Sequence, residues 1–158
     1  MSIQQEFIEA MRGIAATVSV ISSQNDTTRQ AMTASAVTSL SLNPPSMLIC
    51  VNEDASIHKL LNINNYFCIN VLNSRQQDIA KICSAKEEGE FRFLTDSWLE
   101  DELAPYLEKA QANIFCKCFE KIKHSTHTVF LGKVIKVLDN GKKDPLIYVN
   151  GDYKSIRI

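Results

Sequence analysis

A run of small and hydroxyl-bearing residues has the clearest chemical potential in the chain: Ala31-Met32-Thr33-Ala34-Ser35-Ala36-Val37-Thr38-Ser39-Leu40-Ser41. In an extended backbone, alternation puts Thr33, Ser35 and Val37 on one face and Ala34, Ala36 and Thr38 on the other. Small side chains let a flat ligand approach the backbone, while hydroxyls and exposed amides can bond ring heteroatoms or phosphate. The same composition equally suits a small-residue strand packed under a helix. Downstream, Cys50-Val51-Asn52 runs into Glu53-Asp54-Ala55-Ser56-Ile57-His58. Asn52 and Ser56, at a strand end just before a helix start, suit an anion through side-chain donors and free helical amides. Simple capping of that helix by Ser56 is the other reading.

Several chemistries are excluded. The chain has five glycines, and no two of Gly13, Gly89, Gly132, Gly141 and Gly151 are closer than nine positions. That spacing rules out the G-x-G-x-x-G dinucleotide loop and the G-x-x-x-x-G-K-[ST] phosphate loop. Cys116 and Cys118 are two apart, unlike a C-x-x-C redox or zinc motif, and no carboxylate or cysteine sits at ligand spacing from His124 and His127. No metal site is expected. The five cysteines are odd in number and lie mostly in apolar runs, so they read as buried free thiols in a reducing compartment. With 17 Lys and Arg against 18 Asp and Glu, the net charge of −1 speaks against nucleic acid or an anionic membrane as partner. The longest strictly apolar run, Met47 to Val51, is five residues, and the amphipathic start with Glu6 and Glu9 is unlike a secretory leader. A cytoplasmic setting is expected.

The elements that must position these residues follow from periodicity. The chain of 158 residues suits a single domain, residues 1–158, burying roughly 68–70% of its unfolded surface. Ser2 and Gln5 fit a capping box, and Ile3, Phe7, Ile8 and Met11 then share a helical face. Ile14 to Ser22 alternates as a strand, with Ala16, Val18 and Val20 opposite Thr17 and Ser19. Gln30 to Leu42 follows as one extended segment stopped by Pro44-Pro45. Met47 to Val51 and Tyr66 to Leu72 read as buried strands, Ser56 to Leu61 as a short helix capped by Ser56, and Ser74 to Cys83 as a helix with a capping box. The charged stretch from Ala85 to Glu102, interrupted by Phe91, Phe93 and Trp98, reads as a surface loop pinned by aromatics or as a lid gripping a partner. Gln111 to Lys123 and His127 to Leu138 form a hairpin pair, and Asn140-Gly141 carries a turn signal. Strands Pro145 to Val149 and Tyr153 to Ile158 close the chain around another Asn-Gly. Many strands and few helices indicate a β-barrel with peripheral helices.

Taken in order, Ala-Met-Thr-Ala-Ser-Ala-Val-Thr-Ser-Leu-Ser-Leu-Asn-Pro-Pro, Cys-Val-Asn-x-x-Ala-Ser-Ile-His, Phe-Cys-Ile-Asn-Val-Leu, Arg-Phe, His-Thr-Val-Phe-Leu-Gly and Pro-Leu-Ile-Tyr-x-x-Gly-x-Tyr resemble the short-chain flavin reductases. These are the reductase components of two-component flavin monooxygenases, and the similarity runs from about Phe7 to Tyr153. The resemblance implies a mainly β, split β-barrel homodimer that binds FMN or FAD and reduces it with NADH or NADPH. It implies that Met32, Thr33, Ala34, Ser35, Ala36, Val37, Thr38 and Ser39 line the isoalloxazine, with Thr33, Ser35 and the backbone of Ala36 to Thr38 bonding ring or ribityl atoms; a backbone amide from the 33–38 segment is the candidate donor to the ring's N1/C2 side. It also implies Asn52 and Ser56 at the flavin phosphate, Arg92 near the phosphate or adenylate end, His127 positioning the nicotinamide as the catalytic histidine, and Tyr153 closing that same region. Hydride would pass from nicotinamide C4 to flavin N5, and the reduced flavin would diffuse to a separate oxygenase. A non-catalytic flavin- or haem-binding split barrel, acting as carrier or sensor, is the alternative. The chain departs from the family pattern at three places: Glu53-Asp54 replace a frequent Arg-Ser, Thr126 replaces an Asp before His127, and Ala31 replaces Gly. Outside the resemblance, Arg92 also reads as a surface ion pair, His127 as a polar edge residue, His58 as a packing or capping residue and His124 as exposed.

Overall fold

The computed structural model describes residues 1–86, 89–156 and 158. Its elements run α1 (Ile3–Met11), β1 (Ala16–Thr17), β2 (Ser19–Gln24), β3 (Arg29–Ala34), β4 (Val37–Leu42) and β5 (Pro45–Asn52). A 3₁₀ helix (Ser56–Leu60), β6 (Tyr66–Val71), α2 (Gln77–Ser84), a second 3₁₀ helix (Gly89–Leu94), β7 (Trp98–Leu99) and β8 (Tyr106–Leu107) follow. The chain finishes with β9 (Ala112–His124), β10 (His127–Asp139), β11 (Leu146–Val149) and β12 (Asp152–Ser155).

Seven strands form the main sheet in the order β3-β2-β6-β9-β10-β5-β4. β3 and β4 are consecutive in the chain, yet they are the two edges of this sheet. Only Ser35 and Ala36 separate them, so Ala34 and Val37 lie at most about 11 Å apart. The sheet must therefore curl until its edges approach, which gives a split barrel open along the β3–β4 seam. A three-stranded sheet, β1-β11-β12, and the β7–β8 pair flank it. This is the mainly β architecture with peripheral helices that the strand count indicates.

Two cores explain why β2 is buried along both faces. Val20 joins Leu72, Ile79, Ala80, Phe93 and Leu107 beneath α2, while its neighbour Ile21 enters the barrel interior with Ile49, Phe67, Ile69 and Phe130. The expected alternation over residues 14–22 thus gives way: the strand breaks at Val18, and Ser19, expected on the outer face, is buried. The buried polar side chains around Asn70 are satisfied. Asn70, fully buried, donates to the Val20 carbonyl (2.8 Å) and Ser22 Oγ (3.0 Å), and it accepts from the amides of Leu107 (2.8 Å) and Asn113 Nδ2 (2.8 Å). On β10, a Cβ at Gly132 would stand 2.6 Å from the Phe67 ring and 2.7 Å from Cys116 Cβ, so only glycine lets β10 approach at the Leu131/Gly132 bulge.

Other expectations need correction. Gln30 to Leu42 is two strands, because the bend at Ser35-Ala36 sends the chain from one sheet edge to the other. Ser56 does not cap its helix; Ala55 is the cap residue, and the Ser56 hydroxyl donates to Gln30 Oε1. Ser74 does not cap α2, which begins at Gln77; its hydroxyl instead donates to Asp144 Oδ2 at 2.6 Å. Asn140-Gly141 makes no hairpin, since β11 pairs with β1 and β12 rather than with β10. The Asn150-Gly151 pair does, with φ of 53° and 75° at its two residues, as a type I′ turn requires. The last strand stops at Ser155, and Arg157, included in the expected strand, lies outside the described residues. The Ser2/Gln5 capping box is present, but no residue of α1 is buried.

All five cysteines are free thiols; Cys68, Cys83, Cys116 and Cys118 are buried and Cys50 is half-buried. Burial pushes the Cys83 and Cys116 thiols up to about 12 and Cys68 well above its ordinary value. Because the thiolate is the nucleophile, Cys68, Cys83 and Cys116 of the native protein should resist iodoacetamide at pH 8, whereas urea should open all five to labelling. Mass-spectrometric detection of rapid native labelling at Cys68 or Cys83 would contradict this packing.

Candidate functional site

β3 is an edge strand, and α2 packs across it. The hydroxyl of Thr33 donates to the Ala80 carbonyl at 2.5 Å, tying the strand to the middle of the helix. Two cavities open on either side of this tie and share Thr33 and Ser84. One, of about 260 Å³, is reached from Met32, Asn52, Asp54, Ser56 and Arg92. The other, of about 350 Å³, runs past Ala34, Ser35, Lys81, Tyr148 and Tyr153. They form one groove along β3, of the size that takes a nucleotide-like molecule.

The structure thus gathers much of the expected site and separates the rest. Met32, Thr33, Asn52, Ser56 and Arg92 face one end, and Thr33, Ala34, Ser35 and Tyr153 the other. Ala36, Thr38 and Ser39 are exposed beyond the bend, and Val37 packs on the barrel core; none of the four lines either cavity. The bend also changes the expected faces, because strict alternation does not pass through Ser35 and Ala36. Their amides lie outside both strand ladders and so remain open to a ligand. His127 is exposed at the start of β10, directly opposite Asn52 of β5. His127 lines neither cavity and only neighbours Asn52 across the strands, whereas Tyr153 lines the Ser35 end, so the structure does not bring these two residues, expected in one region, together.

The polar groups have defined roles. Asn52 Oδ1 accepts the Asp54 amide at 2.9 Å, which leaves the Asn52 NH₂ to donate to a ligand. Thr126 Oγ1 stands 2.9 Å from His127 Nδ1. A hydroxyl can meet either imidazole tautomer, so threonine orients the ring where a carboxylate is absent. His58 is a packing residue: Nε2 is 2.9 Å from Thr128 Oγ1, and the ring sits edge-on to Phe130. Glu53 turns away from the groove to Lys123, 3.2 Å distant, while Asp54 lines it. Burial, and then the Tyr148 phenol stacked beside it, raise the pKa of Tyr153, so it stays a neutral donor.

Arg92 is not a surface ion pair. Only 3% exposed, it donates through Nη1 to the Ala31 carbonyl (2.9 Å) and Gln30 Oε1 (3.2 Å), and through Nη2 to the Ala85 carbonyl (2.7 Å). Its Nε is buried with no partner among the described residues, and the residue lines the groove. An acceptor on a bound molecule would satisfy that donor. Among the described residues, Lys81, Lys86 and Arg92 oppose Asp54 along the two cavities. The groove therefore suits an anionic ligand. Sequence reasoning missed Gln30 on β3, Lys81 and Ser84 on α2, Lys86 just beyond it and Tyr148 on β11; Lys81, Ser84 and Lys86 reach the groove because α2 packs across β3, and local pattern carries no signal of that.

The segment Ala85 to Glu102 is pinned as well as charged. Phe93 stacks on Trp98 with centroids 4.7 Å apart, and Trp98 Nε1 donates to the Arg92 carbonyl at 2.8 Å. Glu87 and Glu88 of that segment lie outside the described residues.

Among the described residues the groove shows no nucleophile–base pair: the Thr33 hydroxyl is taken by Ala80, and burial keeps the Cys83 thiol protonated. Its work is binding and orientation, and the reacting groups arrive with the ligands. Comparison with known proteins points the same way. Residues 11–157 match the family model described as flavin reductase like domain. The reductase component of an FADH(2)-dependent resorcinol hydroxylase from Rhizobium sp. (strain MTP-10005) is 37% identical over 152 residues, covering 94% of this chain and 85% of that one. The FMN reductase (NADH) RutF of Pseudomonas syringae pv. syringae (strain B728a) is 30% identical over 151 residues, covering 95% and 85%. Among solved structures, the NADH:FAD oxidoreductase SgcE6 of Streptomyces globisporus C-1027, in complex with NAD and FAD fragments, superposes with a TM-score of 0.90. It is 26% identical and covers 98% of this chain and 93% of that one.

Proposed function

The chain belongs to the flavin reductase like domain family, and from that premise we propose that residues 1–158 form one such domain, which reduces FMN or FAD with NADH and releases the reduced flavin to a separate oxygenase. The observation that carries this reading is the groove over β3, where among the described residues Lys81, Lys86 and Arg92 outnumber Asp54 and the buried Arg92 Nε has no partner. The names of the relatives support it, since one is the reductase component of a hydroxylase and the other an NADH-dependent FMN reductase.

The flavin supplies the ring that accepts hydride from the nicotinamide. The chain's own residues bind and orient. Asn52 and Arg92 would donate to the anionic end, and the open amide of Ser35, which lines the groove, would donate where negative charge develops on the reduced ring. His127, held by Thr126, positions the nicotinamide. NADPH is the alternative donor. The exposed apolar face of α1, with Phe7 at 62% and Ile8 at 52% exposure beside Ile14 and Tyr148, supports a homodimer in which a second copy covers this face. Five free cysteines support a cytoplasmic setting. Among the described residues, no helix is long and apolar enough to cross a membrane.

The deciding experiment mixes protein, FMN and NADH without oxygen and follows the flavin and NADH absorbance bands. Catalytic loss of NADH is expected. Its absence with FAD and NADPH also tried would leave a flavin carrier or sensor instead. In the same assay His127→Ala should raise the KM for NADH about tenfold, the worth of one or two hydrogen bonds, and leave flavin affinity within about twofold. Unchanged NADH kinetics would remove His127 from the site.

A further inference from the structure

One carboxamide oxygen holds two of the groups assigned to the anionic end of the groove. Gln30, half-buried on β3, accepts from Ser56 Oγ at 3.1 Å and from Arg92 Nη1 at 3.2 Å, both on Oε1. A guanidinium can only donate, so the amide is oriented with its oxygen toward Arg92, and both lone pairs of that oxygen are used. Ser56 has spent its single proton on Gln30 and offers only lone pairs to the groove, which is the wrong polarity for a phosphate oxygen. An anion can engage Ser56 only by drawing that proton away from Gln30.

The geometry points to Gln30 as a positioning residue that sets anion selectivity: its oxygen competes with the ligand's phosphate for the Ser56 hydroxyl and the Arg92 guanidinium. This rests on the flavin reading of the groove, and it makes the strength of the acceptor at position 30 a control on how strongly a phosphorylated flavin is preferred over an unphosphorylated one. Glutamate there would grip both donors harder and add a negative charge; methionine would release both.

The test measures dissociation constants for FMN and riboflavin by flavin fluorescence titration of the wild type, Gln30→Glu and Gln30→Met. The ratio of riboflavin to FMN dissociation constants should fall about tenfold in Gln30→Glu and rise about threefold in Gln30→Met. A general loss of structure would weaken both ligands together and move the ratios alike. Any result in which the two ratios do not move to opposite sides of the wild type overturns the inference, even where the wild type binds and reduces flavin normally. A wild type that bound neither flavin would overturn the functional reading and this inference with it.

Discussion

Asn70→Ala should lower the unfolding free energy by about 3–6 kcal/mol. The side chain has no exposure, and its two ends serve four partners on three strands, β2, β8 and β9. Its removal leaves the Leu107 amide with no acceptor in a site water does not reach, and strips a donor from the Val20 carbonyl. Each buried orphan costs about 1–3 kcal/mol. Leu107 belongs to the core beneath α2, so the damage reaches the floor of the groove. Ser22→Ala is the milder control: the hydroxyl donates to the Pro105 carbonyl at 2.5 Å, but Asn70 keeps its other partners, and about 1–2 kcal/mol should be lost. Urea unfolding followed by circular dichroism measures both. A loss below about 1 kcal/mol for Asn70→Ala would mean that the network is not what docks β8.

The pattern of success and failure in reading this fold has a physical basis. The Ser2/Gln5 box, the long β9–β10 hairpin and the Asn150-Gly151 turn depend on residues within a few positions of one another, and local chemistry specifies them. Ser74 and Ser56 carry the same local signals as a true cap, but tertiary partners, Asp144 and Gln30, claim their hydroxyls. The Ser35-Ala36 bend has no turn residue to announce it. Its cause is barrel closure, in which one small-residue segment must serve both edges of the same sheet. The double-sided burial of β2 is likewise invisible to a period-two reading, because two cores lie on its two faces.

The site divides in the same manner. Thr33, Ser35 and Asn52 lie on or beside strands that the composition marks, and they line the groove. Lys81 and Lys86 look like ordinary solvated lysines until α2 is laid over β3. Thr126 stands where the family pattern has an Asp before His127, and its hydroxyl, 2.9 Å from Nδ1, takes the place of a carboxylate. Glu53 and Asp54 part company: one pairs with Lys123 outside, and the other stays at the groove. Spacing alone cannot separate two adjacent acids, because strand-end geometry decides which one turns inward.

Arg92→Met is expected to cost about 2–4 kcal/mol of stability and to weaken FMN binding more than riboflavin binding. The guanidinium joins three places at once: the Ala31 carbonyl on β3, the Ala85 carbonyl at the end of α2, and Gln30. At Ala85 it also meets the negative end of the helix dipole. Methionine keeps the volume of the stem but orphans both carbonyls, while relief of a buried charge returns part of the loss. Lysine should rescue little, since one ammonium cannot reach β3 and the α2 terminus together as a planar fork does. Trp98, the only tryptophan, gives a local readout, because its indole N–H is held by the Arg92 carbonyl and its ring rests on Phe93. Its emission should shift to the red in both variants under native conditions, before global unfolding, as segment 89–99 loosens. A variant within about 0.5 kcal/mol of the wild type, with unchanged Trp98 emission and an unchanged FMN-to-riboflavin preference, would return Arg92 to the surface role that its sequence context allows. The buried Nε predicts otherwise: a donor left open inside the protein, at the wall of a cationic groove, gains its acceptor when an anionic ligand enters.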